Sequence, residues 1–309
     1  MTPGLKICSL LPSATEIVFA LGLGDRLVAV THECDFPPEA TRLPVATRST
    51  LDHRTHGSHE IHNHISSAVH TGSSIYALDQ NLLARLNPDL ILTQELCDVC
   101  AVSCDVVETA VHRLEGHRMI LSLEPTSLGG ILETVDQVGE ATGAQERAAA
   151  VVRELQTRID RIGARAQTAS GRPRVFALEW LDPPFTAGHW VPEMIRLAGG
   201  REELAREGRP SSQITWNRIA DYDPEIIVLM PCGFTLGRTL EEFAHIALPE
   251  EWNGLRAVQS GCVYAVHGSA YFNRPGPRIV TGLQILAEII HPEIFRRTTP
   301  PEAWQRLAE

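Results

Sequence analysis

Short apolar runs alternate with helical stretches along most of this chain, and that alternation is typical of a parallel α/β fold. In the first half the predicted strands are residues 5–11, 26–31, 90–93 and 118–123, with helices at 79–86 and 105–115. In the second half the predicted strands are 174–179, 225–230 and 263–266, with helices at 191–197 and 277–290. Ser13 or Thr15 is the predicted cap of the first helix.

The two halves have similar construction, which indicates a bilobed protein with a ligand cleft between the lobes. Residues 145–166 are rich in Ala, Arg, Glu and Leu, and as a helix they would be roughly 33 Å long, enough to cross a domain boundary. We therefore predict an N-terminal α/β lobe at 1–125, an interlobe helix at 126–170 and a C-terminal α/β lobe at 171–309. A surface helix inside one domain is the alternative.

Composition and charge narrow the class of protein. Hydrophobic residues make up 43% of 309 positions, enough for a sizeable core, and the net charge of −11 argues against nucleic acid as a partner. The first residues lack the cationic and apolar pattern of a signal peptide, and residues 17–23 are too few to span a bilayer. We therefore predict a cytoplasmic protein with no membrane span, whose seven cysteines serve as thiols, metal ligands or redox groups.

A Cys-x-x-Cys pair, Cys97 and Cys100, follows the predicted strand at 90–93. In open α/β sheets, ligands gather outside the carboxyl ends of the strands. Cys34, Cys232 and His189 also follow predicted strands, so the five side chains would converge if the two lobes face each other. The pattern predicts a thiol-lined ligand cleft.

Thiolates and imidazole suit zinc, cuprous copper or an iron–sulfur cluster. The Cys97–Cys100 pair would chelate one metal, and Cys232 with either Cys34 or His189 would complete four ligands. Two alternatives stay open. Free cysteines often pack as small hydrophobes in a core, and a Cys-x-x-Cys pair can also serve in redox chemistry.

A second group of possible ligands is the histidine-rich segment between residues 53 and 70. Its members are His53, His56, His59, His62, His64 and His70. Steps of three residues continue around a helix, so these imidazoles cannot all converge on one ion. A solvated polar loop and helix is the favoured interpretation, and a metal site is the alternative.

Four segments resemble one family of binding proteins. They are Leu10-Leu-Pro-Ser-Ala-Thr-Glu16, Asn87-Pro-Asp-Leu-Ile91, Asp182-Pro-Pro-Phe-Thr186 and Tyr271-Phe-Asn-Arg-Pro-Gly-Pro-Arg278. In this order they resemble the cobalamin-binding branch of the class III (helical-backbone) substrate-binding proteins, which serve ABC importers of vitamin B12, haem and iron chelates. The resemblance covers essentially the whole chain. It implies two α/β lobes joined by a long stiff helix, a ligand held between the lobes, and no catalysis.

The resemblance assigns roles to two aromatic residues, and the positions of Trp180, Arg274 and Arg278 in the sequence make these three further candidates. Phe185 and Tyr271 match aromatic side chains that pack against the corrin ring, and a large flat macrocycle is best held by aromatic faces and a few polar groups. Trp180 would stack on the ring or simply close its lobe. Arg274 and Arg278 would clamp a carboxylate, amide or phosphate of the ligand, or form a salt bridge that fixes their loop.

Three positions depart from the family pattern. Arg48 stands where the family has a ring-contacting Trp, Glu33 where it has a Tyr, and Ala270 where it has an acidic residue. With Glu33 and Arg48 among its contacts, the cleft resembles that of a cytoplasmic relative with changed ligand contacts.

The resulting hypothesis is a binding protein for cobalamin, a related corrinoid or another metal chelate, with an ABC transporter as a possible partner. The cleft thiols or His189 would approach the metal. The alternative is a protein that holds zinc or an iron–sulfur cluster through cysteines in the same cleft. We expect no enzymatic activity, since no Ser/His/Asp pattern, paired-carboxylate motif or phosphate-binding glycine loop stands out.

Overall fold

The computed structural model describes residues 4–49, 56–70, 75–94 and 118–307. The chain divides into two compact units. The first unit contains most of the chain up to Glu154, and the second contains Leu155–Glu309 together with the short segments Gly57–His59 and Thr126–Leu128. The domain limits proposed above stay predictions. The helix predicted at 105–115 lies outside the described residues.

The first unit is built on a four-stranded parallel sheet of order β2-β1-β5-β6 and a separate two-stranded antiparallel sheet, β3-β4. Its strands are β1 (Ile7–Ser9), β2 (Leu27–Ala29), β3 (Thr47–Ser49), β4 (Tyr76–Leu78), β5 (Leu90–Thr93) and β6 (Met119–Ser122). The first helices are α1 (Pro12–Ala20), α2 (Ser58–His70), α3 (Gln80–Leu86), α4 (Leu128–Thr142) and α5 (Gln145–Ala166). Because successive side chains of a strand point to opposite faces, Ile7 packs in one buried apolar cluster and Cys8 in another.

The first helix begins earlier than the sequence predicts. Leu11 is its N-cap and Pro12 its first residue, where proline is favoured because that N–H would have no helical partner. The predicted cap at Ser13 or Thr15 is therefore wrong. The Thr15 hydroxyl instead donates to the Ser9 hydroxyl at 2.8 Å, which ties the helix to the end of β1.

The second unit is built on a six-stranded sheet of order β12-β11-β10-β7-β8-β9. Its strands are β7 (Val175–Trp180), β8 (Phe185–Thr186), β9 (Ser212–Gln213), β10 (Ile226–Leu229), β11 (Val263–Val266) and β12 (Trp304–Arg306). Its helices are α6 (Val191–Leu197), α7 (Trp216–Tyr222), α8 (Leu236–His245), α9 (Glu250–Gly254), α10 (Arg256–Gln259), α11 (Gly268–Tyr271) and α12 (Ile279–Ile290). The β7–β10 and β10–β11 pairs are parallel, and the β7–β8, β8–β9 and β11–β12 pairs are antiparallel. The predicted α/β class with parallel sheets is confirmed, and the sheet of the second unit also contains antiparallel pairs that were not predicted.

The longest helix in the described part of the chain, α5, has 22 residues and the bounds predicted from the sequence. The division between the two units falls inside it, after Glu154. It is separated from α4 by Gly143, whose φ of 69° favours glycine. Among the described residues, no helix is both long and apolar enough to cross a membrane.

Candidate functional site

The loops that follow β7, β10 and β11 lie together at one edge of the second unit's sheet, because these strands are parallel and adjacent. We call this edge, with the residues that follow the three strands, the carboxyl edge. The backbone N–H of Cys232 donates to the Glu179 carbonyl at 3.1 Å, and that of Ser269 donates to the Phe234 carbonyl at 3.0 Å. These bonds fasten the loops to one another. Ligands of α/β proteins gather at such an edge.

An aromatic pair, Trp180 and Phe185, stands at the end of β7. The two residues are register partners on the antiparallel strands β7 and β8, next to a register shift between Leu178 and Trp180, and both side chains are partly exposed. The Trp180 ring meets the Phe234 ring edge-on at 5.5 Å, and its indole N–H donates to the Ser58 carbonyl at 3.2 Å. Trp180 and Phe185, named separately from the sequence, are thus brought together.

Tyr271 and its neighbours form a second group at the carboxyl edge. The Tyr271 ring is half-exposed, with the Arg278 guanidinium 5.8 Å from its centre. Directly after β11, the ring of His267 lies 5.9 Å from Tyr271, and its Nδ1 accepts from the Ala270 N–H at 3.1 Å. Arg274 is only 8% exposed, so Arg278 is the more accessible of the two arginines.

Two of the predicted metal ligands lie in the second unit. Cys232 is half-buried at the carboxyl edge. His189 follows β8 in a left-handed conformation with φ 52°, and its ring stacks on Trp190 at 5.5 Å. Its Nδ1 is buried and has no hydrogen-bond partner among the residues that the structure describes. Burial lowers the pKa of His189, which favours the neutral imidazole that metals bind.

Three predicted site residues lie in the first unit. Cys34 is 7% exposed, packs in the apolar cluster beneath α1, and has its Sγ 3.1 Å from the Thr15 hydroxyl. The Glu33 carboxylate lies 3.7 Å from the His32 ring, and Arg48 is exposed on β3. The surroundings of Cys34 are those of a core thiol.

The structure describes only three of the five predicted metal ligands. Cys97 and Cys100 lie outside the described residues. Within the described ranges, no group of three or more His, Cys, Asp or Glu side chains could hold a metal ion. The full set of Cys97, Cys100, Cys232, Cys34 and His189 therefore stays a prediction.

The histidine-rich segment is mostly helical. His59, His62, His64 and His70 lie in α2, His56 lies just before it, and His53 is outside the described residues. The rings of His56 and His64 meet edge-on at 5.7 Å.

Glu179 lies where the backbone at Gly188 closely approaches Ser211. Its carboxylate accepts from the Gly188 N–H at 3.0 Å and from Ser211. Gly188 is required there because a Cβ would lie 2.2 Å from the Ser211 nitrogen. Burial raises the pKa of Glu179 to about 7, although both hydrogen bonds lower it. The site therefore carries a carboxyl group that titrates near neutral pH.

Replacing Glu179 with Gln should change how stability depends on pH. A raised pKa means that the folded state holds this proton more tightly, so Glu179 reduces the stability of the wild type as pH rises from about 4.5 to about 7. We therefore expect the free energy of unfolding of Glu179→Gln, relative to that of the wild type, to be higher at pH 8 than at pH 5. Urea unfolding at both pH values measures this difference. Glu241→Gln, at an exposed position, is the control. Parallel pH curves for Glu179→Gln and the wild type would contradict the assignment.

A cluster of polar residues beside Trp180 could not be predicted from any sequence motif. The N–H and hydroxyl of Ser58 both donate to Oε1 of Glu242 at 2.7 Å, and Oε2 of Glu242 accepts from Arg238 at 2.8 Å. Ser58 and Glu242 are separated by 184 positions, so no local motif connects them.

Comparison with known proteins gives this geometry a context. The family model described as periplasmic binding protein matches residues 7–270. An uncharacterized ABC transporter substrate-binding lipoprotein of Bacillus subtilis is 25% identical over 94% of this chain and 81% of its own length. A vitamin B12-binding protein of Vibrio cholerae is 25% identical over 91% of this chain and 87% of its own length.

Solved structures share the fold. The periplasmic vitamin B12-binding protein of Vibrio cholerae has a TM-score of 0.68 at 22% identity, covering 94% of this chain and 98% of its own. A periplasmic haem-binding protein of Pseudomonas aeruginosa has a TM-score of 0.71 at 19% identity, covering 96% of each chain. Such neighbours are substrate-binding proteins, not enzymes.

These comparisons correct one prediction. The cytoplasmic location is wrong, because the matching proteins are periplasmic and the Bacillus subtilis relative is a lipoprotein. The argument that the cysteines stay reduced in a cytosol loses its basis with that location.

Proposed function

Because the chain belongs to the periplasmic binding protein family, we propose that it binds cobalamin, or a related corrinoid, as the substrate-binding component of an ABC transporter. Members of this family bind small-molecule chelates and act with ABC transporters. The vitamin B12-binding relative supports a corrinoid. The haem-binding neighbour makes haem the chelate to compare with it.

The observation that carries the proposal is the pairing of Trp180 with Phe185. Two partly exposed aromatic residues at directly opposite positions of neighbouring strands offer apolar surface to a flat ring. Tyr271 adds a third aromatic ring at the same carboxyl edge, and Arg278 beside it supplies a cation for a ligand amide or carboxylate. Few polar groups among aromatic ones is the usual composition of a small-molecule site.

We further propose that His189 or Cys232 approaches the metal of the chelate. A neutral imidazole is a good ligand for a metal centre, and burial lowers the pKa of His189, which favours that neutral form. The alternative of a resident zinc or iron–sulfur centre depends on Cys97 and Cys100. Metal analysis of protein purified without oxygen tests that alternative, since it predicts stoichiometric metal before any chelate is added.

Replacing either aromatic residue of the pair should weaken chelate binding. We expect the wild type to bind at least one of cyanocobalamin, cobinamide and haemin in absorbance titrations. Trp180→Ala and Phe185→Ala should each bind that chelate about tenfold more weakly, since an aromatic contact is worth about 0.5–1.5 kcal/mol beyond the apolar area it buries.

The control is Trp216→Phe. Trp216 is partly exposed like Trp180 and Phe185, but it packs against Trp252 and its apolar cluster. This variant should bind as the wild type does. Failure of the wild type to bind any of the three chelates would refute the proposed function, and unchanged binding by both alanine variants would refute the role of the aromatic pair.

A further inference from the structure

We infer that Glu242 is a positioning residue for the ligand-binding aromatic pair, because it holds Ser58 in the place from which Ser58 fixes the Trp180 ring. The inference rests on the proposed function and names residues that neither the sequence nor the comparisons assign. All the residues involved belong to the second unit, which includes the segment Gly57–His59.

The Trp180 ring is fixed at two points. Its indole N–H donates to the Ser58 carbonyl at 3.2 Å, and the ring meets Phe234 at 5.5 Å with an angle of 64° between the planes. A tryptophan side chain has only two rotatable angles. A hydrogen bond at the nitrogen and an aromatic contact on the ring therefore define its orientation beside Phe185.

Ser58 is in turn fixed by hydrogen bonds through its N–H, its hydroxyl and its carbonyl. It is 1% exposed, and all of its polar atoms are used: the N–H and hydroxyl donate to Glu242 at 2.7 Å, and the carbonyl accepts from Trp180. The next residue, His59, has its Nδ1 3.3 Å from the Asp182 carboxylate, in the loop that joins β7 to β8. The segment is thus fastened at two successive residues.

The carboxylate of Glu242 is also well placed to stay charged. Burial raises its pKa, but the hydrogen bonds from Ser58 and the charge of Arg238 outweigh burial, and the pKa lies below its usual value. Hydrogen bonds to a charged acceptor are stronger than those between neutral groups. Glu242 is therefore a firm acceptor for Ser58 at neutral pH.

Arg238 closes the set of contacts. Its guanidinium donates to Glu242 at 2.8 Å and lies 4.7 Å from the centre of the Phe234 ring, which itself supports Trp180. The five residues Glu242, Ser58, Trp180, Phe234 and Arg238 thus contact one another in a closed circuit. Loss of one contact is expected to loosen the tryptophan.

The test replaces Glu242 with Gln, which keeps the size of the side chain but removes the charge. The chain is labelled with 5-fluorotryptophan, and the Trp180 resonance is identified by its absence in Trp180→Phe. In Glu242→Gln we expect this fluorine resonance to shift or broaden, and the affinity for the chelate bound by the wild type to fall about tenfold. Glu242→Asp, which keeps the charge, should restore part of both.

The matched control is Glu241→Gln, at the neighbouring exposed position of the same helix, which should leave both readouts unchanged. If Glu242→Gln lowers only the unfolding temperature, with the Trp180 resonance and affinity unchanged, the inference is overturned. If the variant does not fold, Ser58→Ala removes only the hydroxyl and should give a smaller change in the same direction. A wild type that binds no chelate refutes the proposed function, while the resonance still decides whether Glu242 positions Trp180.

Discussion

Replacing Gly282 with alanine should destabilise the second unit by about 3 kcal/mol. Gly282 lies in α12, where an added Cβ would be 2.1 Å from the Tyr271 carbonyl oxygen and 3.1 Å from the Met194 side chain. Real Cβ atoms do not approach backbone oxygens so closely, so α12 would have to move away from α11. Urea unfolding measures the loss of stability. Because Tyr271 is on the facing backbone, chelate affinity should fall as well.

Gly237→Ala provides the matched control for this prediction. Gly237 is also helical, in α8, but an added Cβ there would have no heavy atom within 4 Å. Alanine is favoured over glycine in helices by about 1 kcal/mol, so this variant should be as stable as the wild type or slightly more stable. Equal unfolding midpoints for Gly282→Ala and Gly237→Ala would show that the close approach does not exist.

Replacing Glu288 with alanine should cost about 3 kcal/mol, because the buried Glu288 carboxylate accepts several hydrogen bonds, one of them from the buried Thr299, and a bond to a charged acceptor contributes about 1.5–3 kcal/mol. Glu288 is 2% exposed and lies in α12. Its Oε1 accepts from the Thr298 N–H and hydroxyl at 2.8 Å and from Gln284 at 3.1 Å, and its Oε2 accepts from the Thr299 hydroxyl at 2.5 Å. These bonds fasten the segment before β12 to the helix. Thermal unfolding measures the loss.

The same carboxylate should make the protein sensitive to acid. Burial raises the pKa of Glu288, but hydrogen bonds from Thr299, Thr298 and Gln284 lower it more, and the net direction is down. Its contribution to stability is therefore present above about pH 4.5 and is lost as pH falls through the lowered pKa. Glu288→Gln should be less stable at neutral pH and should show a shallower loss in acid. Glu302→Gln, at an exposed position, should keep the steep acid limb, and a steep limb in Glu288→Gln would contradict the assignment.

Much of the fold could be predicted from local patterns. The predicted elements at 90–93, 191–197 and 263–266 have the bounds observed for β5, α6 and β11. Each of them is a regular hydrophobic segment that ends at polar or turn residues, so hydrophobic periodicity alone locates it. The same holds for α5, whose composition favours helix throughout.

What could not be predicted depends on contacts between distant residues. Strands β8 and β9 have two residues each, too few for a pattern, and their pairing comes from the strands beside them. Trp180 and Phe185 could be named from the sequence, but their position opposite each other follows from the β7–β8 pairing. The bond between Ser58 and Glu242 joins positions that share no motif. Cys34 shows the opposite limit, because a cysteine after a strand looks the same in sequence whether it binds a ligand or fills a core.

The two ends of the six-stranded sheet have a consequence for self-association. Its central parallel strands are enclosed on one side by β12, with three residues, and on the other by β8 and β9, with two each. A long apolar strand at the edge of a sheet would offer unpaired backbone groups to another chain, whereas very short edge strands offer little for such pairing. Stable attachment of β12, which the Glu288 hydrogen bonds support, therefore protects the apolar strand β11 from intermolecular β-pairing. Any fusion placed after β12 should leave Trp304–Arg306 free to pair with that strand.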